Sequence, residues 1–147
     1  MSGDFLLPVR RAMLIRAKQW APLVDLIPAA SMWPSKVSAS RTFPFTRFGS
    51  MIASPFRASG LNASSNRISW QAFTKPLMEG DVEVVSAEDR ILLIGSAIKD
   101  CFDGRTIKLE SGESVQLSWI TTSPQRDGAE ADAMMTTVSF LVEVLAN

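Results

Sequence analysis

From Ala133 to Leu145 the chain has no glycine, no proline and one charged residue, Glu143. The run alternates. Met134, Thr136, Val138, Phe140, Val142 and Val144 would line one side of an extended strand, and Met135, Thr137, Ser139, Leu141, Glu143 and Leu145 the other. A strand of this length needs neighbours for its backbone and a covering layer for its more apolar face. That requirement limits the chain to sheet-based folds. At 147 residues a single domain, 1–147, is expected, one able to bury about 70% of its unfolded surface.

The covering layer has two candidates. Leu6, Val9, Met13, Ala17 and Trp20 share a stripe at helical spacing, so a helix is expected over about 5–20, with Pro8 in its first turn and Pro22 ending it. Leu23, Val24, Leu26 and Ile27 read as a further packed turn closed by Pro28. The second helix is better marked. Ser86 is its N-cap, Glu88 and Asp89 fill the first turn, Ile91, Ile94, Ile98 and Cys101/Phe102 form its apolar stripe, and Asp103-Gly104 stops it. Gly95 in its middle costs about 1 kcal/mol against alanine, which a close approach to the sheet would explain.

Other strands are expected at Phe43–Gly49, at 67–75 (Ile68, Trp70 and Ala72 against Ser69, Gln71 and Phe73), at Arg105–Leu109 and at Val115–Thr121. Pro44 marks the first as an edge strand or a strand entry. Met32-Trp33 reads as an anchor into the core within the stretch 28–42, which is expected to be irregular or a short extended segment. Long loops are expected at 50–66, 76–86 and 122–132, the first with a hairpin as the other possibility. The expected fold class is therefore α+β: a mostly antiparallel sheet of four to five strands with two helices on one face, in the order α-β-β-α-β-β-β.

Net charge is zero, yet the halves differ. Residues 1–75 hold ten Lys/Arg and two acids, and residues 76–147 hold five and thirteen, a balance of +8 against −8. The halves could interleave and mix their charges over one surface. They could instead form a basic face that meets the acidic face of another copy, a heterologous contact. A basic side against DNA is a third reading, disfavoured by the zero net charge. Phe5-Leu6-Leu7 lies between Asp4 and Arg10-Arg11, the reverse of a signal peptide, and no apolar run approaches the about 20 residues of a membrane span. A cytoplasmic site and no membrane are the expectation.

The sequence has no histidine, no tyrosine and one cysteine. This removes the commonest general base, the Ser-His and Cys-His nucleophiles and any ordinary zinc site. No phosphate-binding glycine motif is present. Glu88, Asp89, Asp100 and Asp103 could bind a hard cation, but helix capping and the exit turn account for them. Cys101 lies on the apolar stripe, where packing accounts for it. Trp33, Phe43, Phe45, Phe48, Phe56, Trp70 and Phe73 among arginines could stack single-stranded nucleic acid, but those in strands alternate as core residues do. No catalytic, cofactor-binding or metal-ligating residue, no cofactor and no enzymatic activity are expected.

A wider pattern is visible in the order of these segments. A helix leads into Ile27-Pro28-Ala29-Ala30-Ser31-Met32-Trp33-Pro34, then the aromatic-Pro-aromatic strand Phe43-Pro44-Phe45-Thr46-Arg47-Phe48-Gly49, then Ile68-Ser69-Trp70-Gln71-Ala72-Phe73, then the helix from Ala87 to Gly104 and the long last strand. This resembles the tail-completion, or tail-terminator, proteins of long-tailed phages and phage-derived gene transfer agents, with the 50–66 and 76–86 connections longer than the family pattern. The resemblance implies a virion structural protein. It implies a homo-hexameric ring at the head-proximal end of the tail tube that ends tube growth, joins the head-neck connector and passes DNA through its lumen without reading its sequence. It also implies assembly in the host cytoplasm, then residence in the virion neck. Another neck or head-completion adaptor is the alternative, and a small nucleic-acid-binding domain a remoter one. Charge and loop position mark Arg41, Arg47, Phe56, Arg57, Arg67, Glu79, Asp81, Glu83, Arg126 and Asp127 as candidates for the protein–protein interface.

Overall fold

The computed structural model of the chain describes residues 6–34, 36–58 and 61–145, with the backbone alone described at 6, 52–58 and 61–65. Helix α1 (Leu6–Gln19) buries Val9, Met13 and Ala17, the stripe its spacing marks. A short α2 (Ala21–Val24) carries Pro22 in its first turn and buries Leu23. A single 3-10 turn leads to β1 (Met32–Trp33). The remaining elements are β2 (Phe45–Ala58), β3 (Leu61–Thr74), β4 (Leu77–Glu79), β5 (Val82–Val85), α3 (Ala87–Phe102), β6 (Thr106–Lys108), β7 (Ser114–Arg126) and β8 (Met134–Leu145).

The expected fold class is overturned. The described chain is mostly strand: a six-stranded mixed sheet in the order β1-β2-β3-β8-β7-β6, a separate β4–β5 ribbon, and α3 as the longest helix. It is not a four-to-five-stranded, mostly antiparallel sheet under two helices in the order α-β-β-α-β-β-β. The mixed character comes from β1, which pairs in parallel with β2 through Met32↔Thr46 and Trp33↔Arg47. Two residues are too few to show a period, so only the pairing reveals them as a strand.

The segments expected as loops differ for the same reason. Residues 50–66 follow the hairpin alternative rather than the loop: they are largely the antiparallel paired ends of β2 and β3, in register from Met51↔Ile68 to Ala58↔Leu61. The alanines, asparagines and proline at these paired positions have poor strand propensity, and cross-strand pairing overrides it. Residues 76–86 hold the β4–β5 ribbon, whose turn uses Gly80 at φ +64. Residues 122–132 begin as strand, because the length of β8 extends the ladder as far as Arg126↔Met134. Pro124 lies in that extension. Among the described residues no strand pairs with β7 beyond β6, which reaches only Gln116, so the missing N–H of Pro124 stands on an open edge.

The core lies between the sheet and the helices. Phe48 of β2 stacks on Trp70 of β3, centroids 5.0 Å apart and planes 2° apart. Trp70 meets Phe102 of α3 at 5.3 Å, and Phe102 meets Phe140 of β8 edge-on at 5.5 Å. Ile68, Ala72, Val138, Val142 and Leu117 complete the same face of the sheet, all fully buried. The alternation of β3 and β8 therefore has its expected sense, with one side of each strand under the helices. Gly95 faces the sheet. A Cβ there would stand 3.2 Å from the Thr122 methyl and 3.7 Å from Thr136. The N-cap holds as well, with the Ser86 hydroxyl accepting from the Asp89 N–H at 3.1 Å.

Candidate assembly interface

Three surfaces outside the core carry the residues singled out by charge. The first is the sheet face opposite α3. Register places Arg47, Ser69, Gln71, Thr137, Ser139, Thr121 and Ser123 on it. These groups link across the strands. Arg47 Nε donates to Gln71 Oε1 at 2.9 Å, and the Ser69 and Ser139 hydroxyls lie 3.0 Å apart. One end is aromatic: Phe45 stacks on Phe73 at 4.7 Å, with Phe43 at 5.2 Å from Phe45. Cations cover these rings. Arg41 lies over Phe45, Arg47 over Phe73 and Lys75 over Phe43. Arg41 and Arg47 are thus engaged within their own chain, each in a cation–π contact worth about 0.5–1 kcal/mol near a surface.

The second surface is the arm formed where β2 and β3 run past the sheet. The last β3–β8 pair is Asn66↔Val142, and beyond it β2 and β3 pair only with each other. Phe56 and Arg57 stand in this arm opposite Ala63 and Asn62, and exposed Arg67 stands at its base opposite Ile52 and Leu141. Arg47 and Arg57 are about 30 Å apart along the extended strand, so the basic residues do not converge on one site.

The third surface is the β4–β5 ribbon. Glu79, Asp81 and Glu83 are exposed on it, as are Leu77, Met78, Val82 (65%) and Val84. Arg126 ends β7 and pairs with Glu88 at 3.8 Å, both exposed. Asp127 Oδ1 accepts from the Ala129 N–H at 3.0 Å and shapes the following turn. Of the residues expected at an interface, the structure groups Arg41 with Arg47, the three ribbon acids with one another, and Arg126 with Asp127. It does not join the three groups.

Several apolar residues on exposed surface escaped the charge-based reading. Leu92 and Leu93 of α3 are more than half exposed, and so is Ile15 of α1. They sit off the stripes that pack the helices, and that is the signal by which such residues can be found. Trp119, 39% exposed at a bulge in β7, lies under Lys99 with Nζ 4.1 Å from the ring centroid.

Nothing in the geometry favours chemistry at Cys101. The residue is fully buried, and burial pushes its thiol up to about 11 despite the opposing influence of Arg16 and Arg105. Two basic neighbours are present, but desolvation outweighs them. Native protein at pH 8 is expected to react with a thiol reagent at least about a hundredfold more slowly than denatured protein, from the thiolate fraction alone. Equal rates in a timed thiol titration would contradict this burial. Among the described residues no cluster of three or more potential metal ligands occurs, and no helix is long and apolar enough to cross a membrane.

No protein-family model matches the chain, and no curated protein does. Solved structures do. A chain from the virion of a native gene transfer agent particle superposes with a TM-score of 0.76, over 97% of this chain and 98% of that one, at 12% identity. A second solved chain, which carries no functional name, superposes with a TM-score of 0.52, over 100% and 98%, at 16% identity. At such identities the shared property is architecture, and this chain has the fold of a subunit found in a native gene transfer agent virion.

Proposed function

We propose that the chain is a structural subunit of a phage-type virion, and that copies of it form a ring at the head-proximal end of the tail tube. In this reading the ring ends tube growth and joins the tail to the head-neck connector, while DNA passes through its lumen without sequence-specific contact. The subunit assembles in the host cytoplasm and stays in the virion neck. One observation carries the reading: the near end-to-end superposition on a gene transfer agent virion chain. The order of segments, which resembles the tail-terminator family, supports the finer role. The distribution of surface is in keeping with it. An arm, a ribbon and an open sheet face lie on different parts of the subunit, as a protein with like neighbours on two sides and unlike ones on the others requires.

The test is electron microscopy of purified tail tubes incubated with the protein. A ring at one tube end, and no further elongation on addition of tube subunits, is the expected result. Protein that never associates with tubes overturns the terminator role. Binding to connectors instead of tubes would make it a neck adaptor.

A further inference from the structure

β6 ends the sheet, with β7 as its neighbour. Leu117 N–H donates to the Arg105 carbonyl, and Leu109 N–H to that of Glu113, so Arg105, Ile107 and Leu109 turn their backbone groups toward β7. The N–H and C=O of Thr106 and Lys108 therefore point away from the sheet. A cavity of about 330 Å³ opens there, with Ala12, Ile15 and Arg16 of α1 on one side and Thr106, Ile107 and Lys108 on the other. Successive strand residues send their side chains to opposite faces, so three in a row line one cavity only where it runs along the strand's edge. Arg16 is fixed in place. Its Nε donates to the Cys101 carbonyl at the end of α3, at 2.7 Å, and its guanidinium lies over Trp20, as does that of Arg105. Neither Arg16 nor Lys108 has a carboxylate within ion-pair distance among the described residues. α1 adds Arg10, Arg11 and Lys18 and no acid. Glu110, the acid on the cavity lining, stands in the turn beyond β6.

We infer that this groove binds an extended acidic segment of a partner protein, which adds to the sheet as a strand beside β6. The guest's backbone meets the outward groups of Thr106 and Lys108. Its side chains alternate between the two faces of the sheet, as those of β6 do. Ile107 is in the core on the α1 side, and Thr106 and Lys108 are on the other face. Successive guest residues thus meet Arg16 on one face and Lys108 on the other, and acids at two successive positions satisfy both. An apolar guest residue on the α1 side covers Ile15. A nucleic acid backbone has no donor for the outward carbonyls of Thr106 and Lys108, whereas a polypeptide has one at each residue. Among the described residues this chain's own acids lie in helices, turns and loops or in strands that already have a partner, so the guest comes from a different protein. The inference does not depend on the tail-terminator role.

The test is nuclear magnetic resonance on the isotope-labelled chain at low salt. The probe is a short blocked valine–threonine peptide with two successive glutamates at its centre. Saturable shifts of the Thr106 and Lys108 amides and of Arg16 Nε are expected, with a Kd below about 1 mM. N-methylation of the peptide on one set of alternate residues is expected to abolish binding, and on the other set to leave it intact, because only one set faces β6. Lysines in place of the glutamates, or Lys108→Glu in the protein, are expected to weaken binding at least about tenfold. The peptide comparisons use the unaltered chain, so they stand even if Lys108→Glu fails to fold. Equal effects of the two N-methylated peptides overturn strand addition, and equal binding of the glutamate and lysine peptides overturns the acidic guest. No saturable shift up to about 1 mM, or shifts that leave α1 and β6 untouched, overturns the whole inference. So does an unaltered chain whose self-association, followed by sedimentation, is lost in Lys108→Glu, since the occupant would then be a second copy.

Discussion

Trp70→Ala is expected to lower the melting temperature by about 10–15 °C or to prevent folding. Trp70 is fully buried, stacked on Phe48 and in contact with Phe102, so alanine removes the residue that joins two strands to α3. Truncations of this kind cost about 3–5 kcal/mol, a large part of the about 5–15 kcal/mol that holds a domain together. At this chain length 1 kcal/mol corresponds to about 3 °C. Trp70→Phe is the informative control. The indole Nε1 has no hydrogen-bond partner among the described residues, so phenylalanine sacrifices packing but no hydrogen bond. Its loss should be well under half that of alanine. Calorimetry showing an alanine variant within about 3 °C of the parent would mean that the aromatic column is not the centre of the core.

Gly95→Leu is expected to have the second-largest effect. The glycine lets α3 approach β7 and β8 so closely that a single added carbon would stand 3.2 Å from the Thr122 methyl. Alanine at this position gains about 1 kcal/mol of helix propensity and is opposed by that contact, so the two nearly cancel. Leucine adds three further carbons in the same direction. The helix must then lift from the sheet, at a cost of about 3 kcal/mol or more. Ser96→Leu, one residue on at an exposed position, is the control for propensity and added surface. A denaturant titration in which the two leucine variants are equally stable would refute the close approach.

What the sequence disclosed depended on whether a residue's partner was local. α3 was legible throughout, because its cap, stripe, mid-helix glycine and stop all lie within one stretch of chain. The alternation of Ile68-Trp70-Ala72 and of Val138-Phe140-Val142 was legible for the same reason. Met32-Trp33 and the ends of β2 and β3 were not, since a strand with poor propensity is set by what pairs with it, and a pairing such as Ser54↔Ser65 leaves no trace in composition. The parallel β1–β2 pair was hidden too, because nothing in two residues gives a direction. Among the interface candidates, the exposure of the ribbon acids is what charge leads one to expect. Charge did not reveal that Arg41 and Arg47 lie over Phe45 and Phe73, since those rings come together only in the fold.

Pro124 stands on the strand edge that β7 leaves open beyond Gln116 among the described residues. An unbroken edge is a template on which any extended chain can add, and then another, without limit. A missing donor near the end of β7 interrupts that template, so strand-on-strand addition along this edge is disfavoured. The proline thus turns an edge that could recruit any extended chain into one that recruits strands poorly.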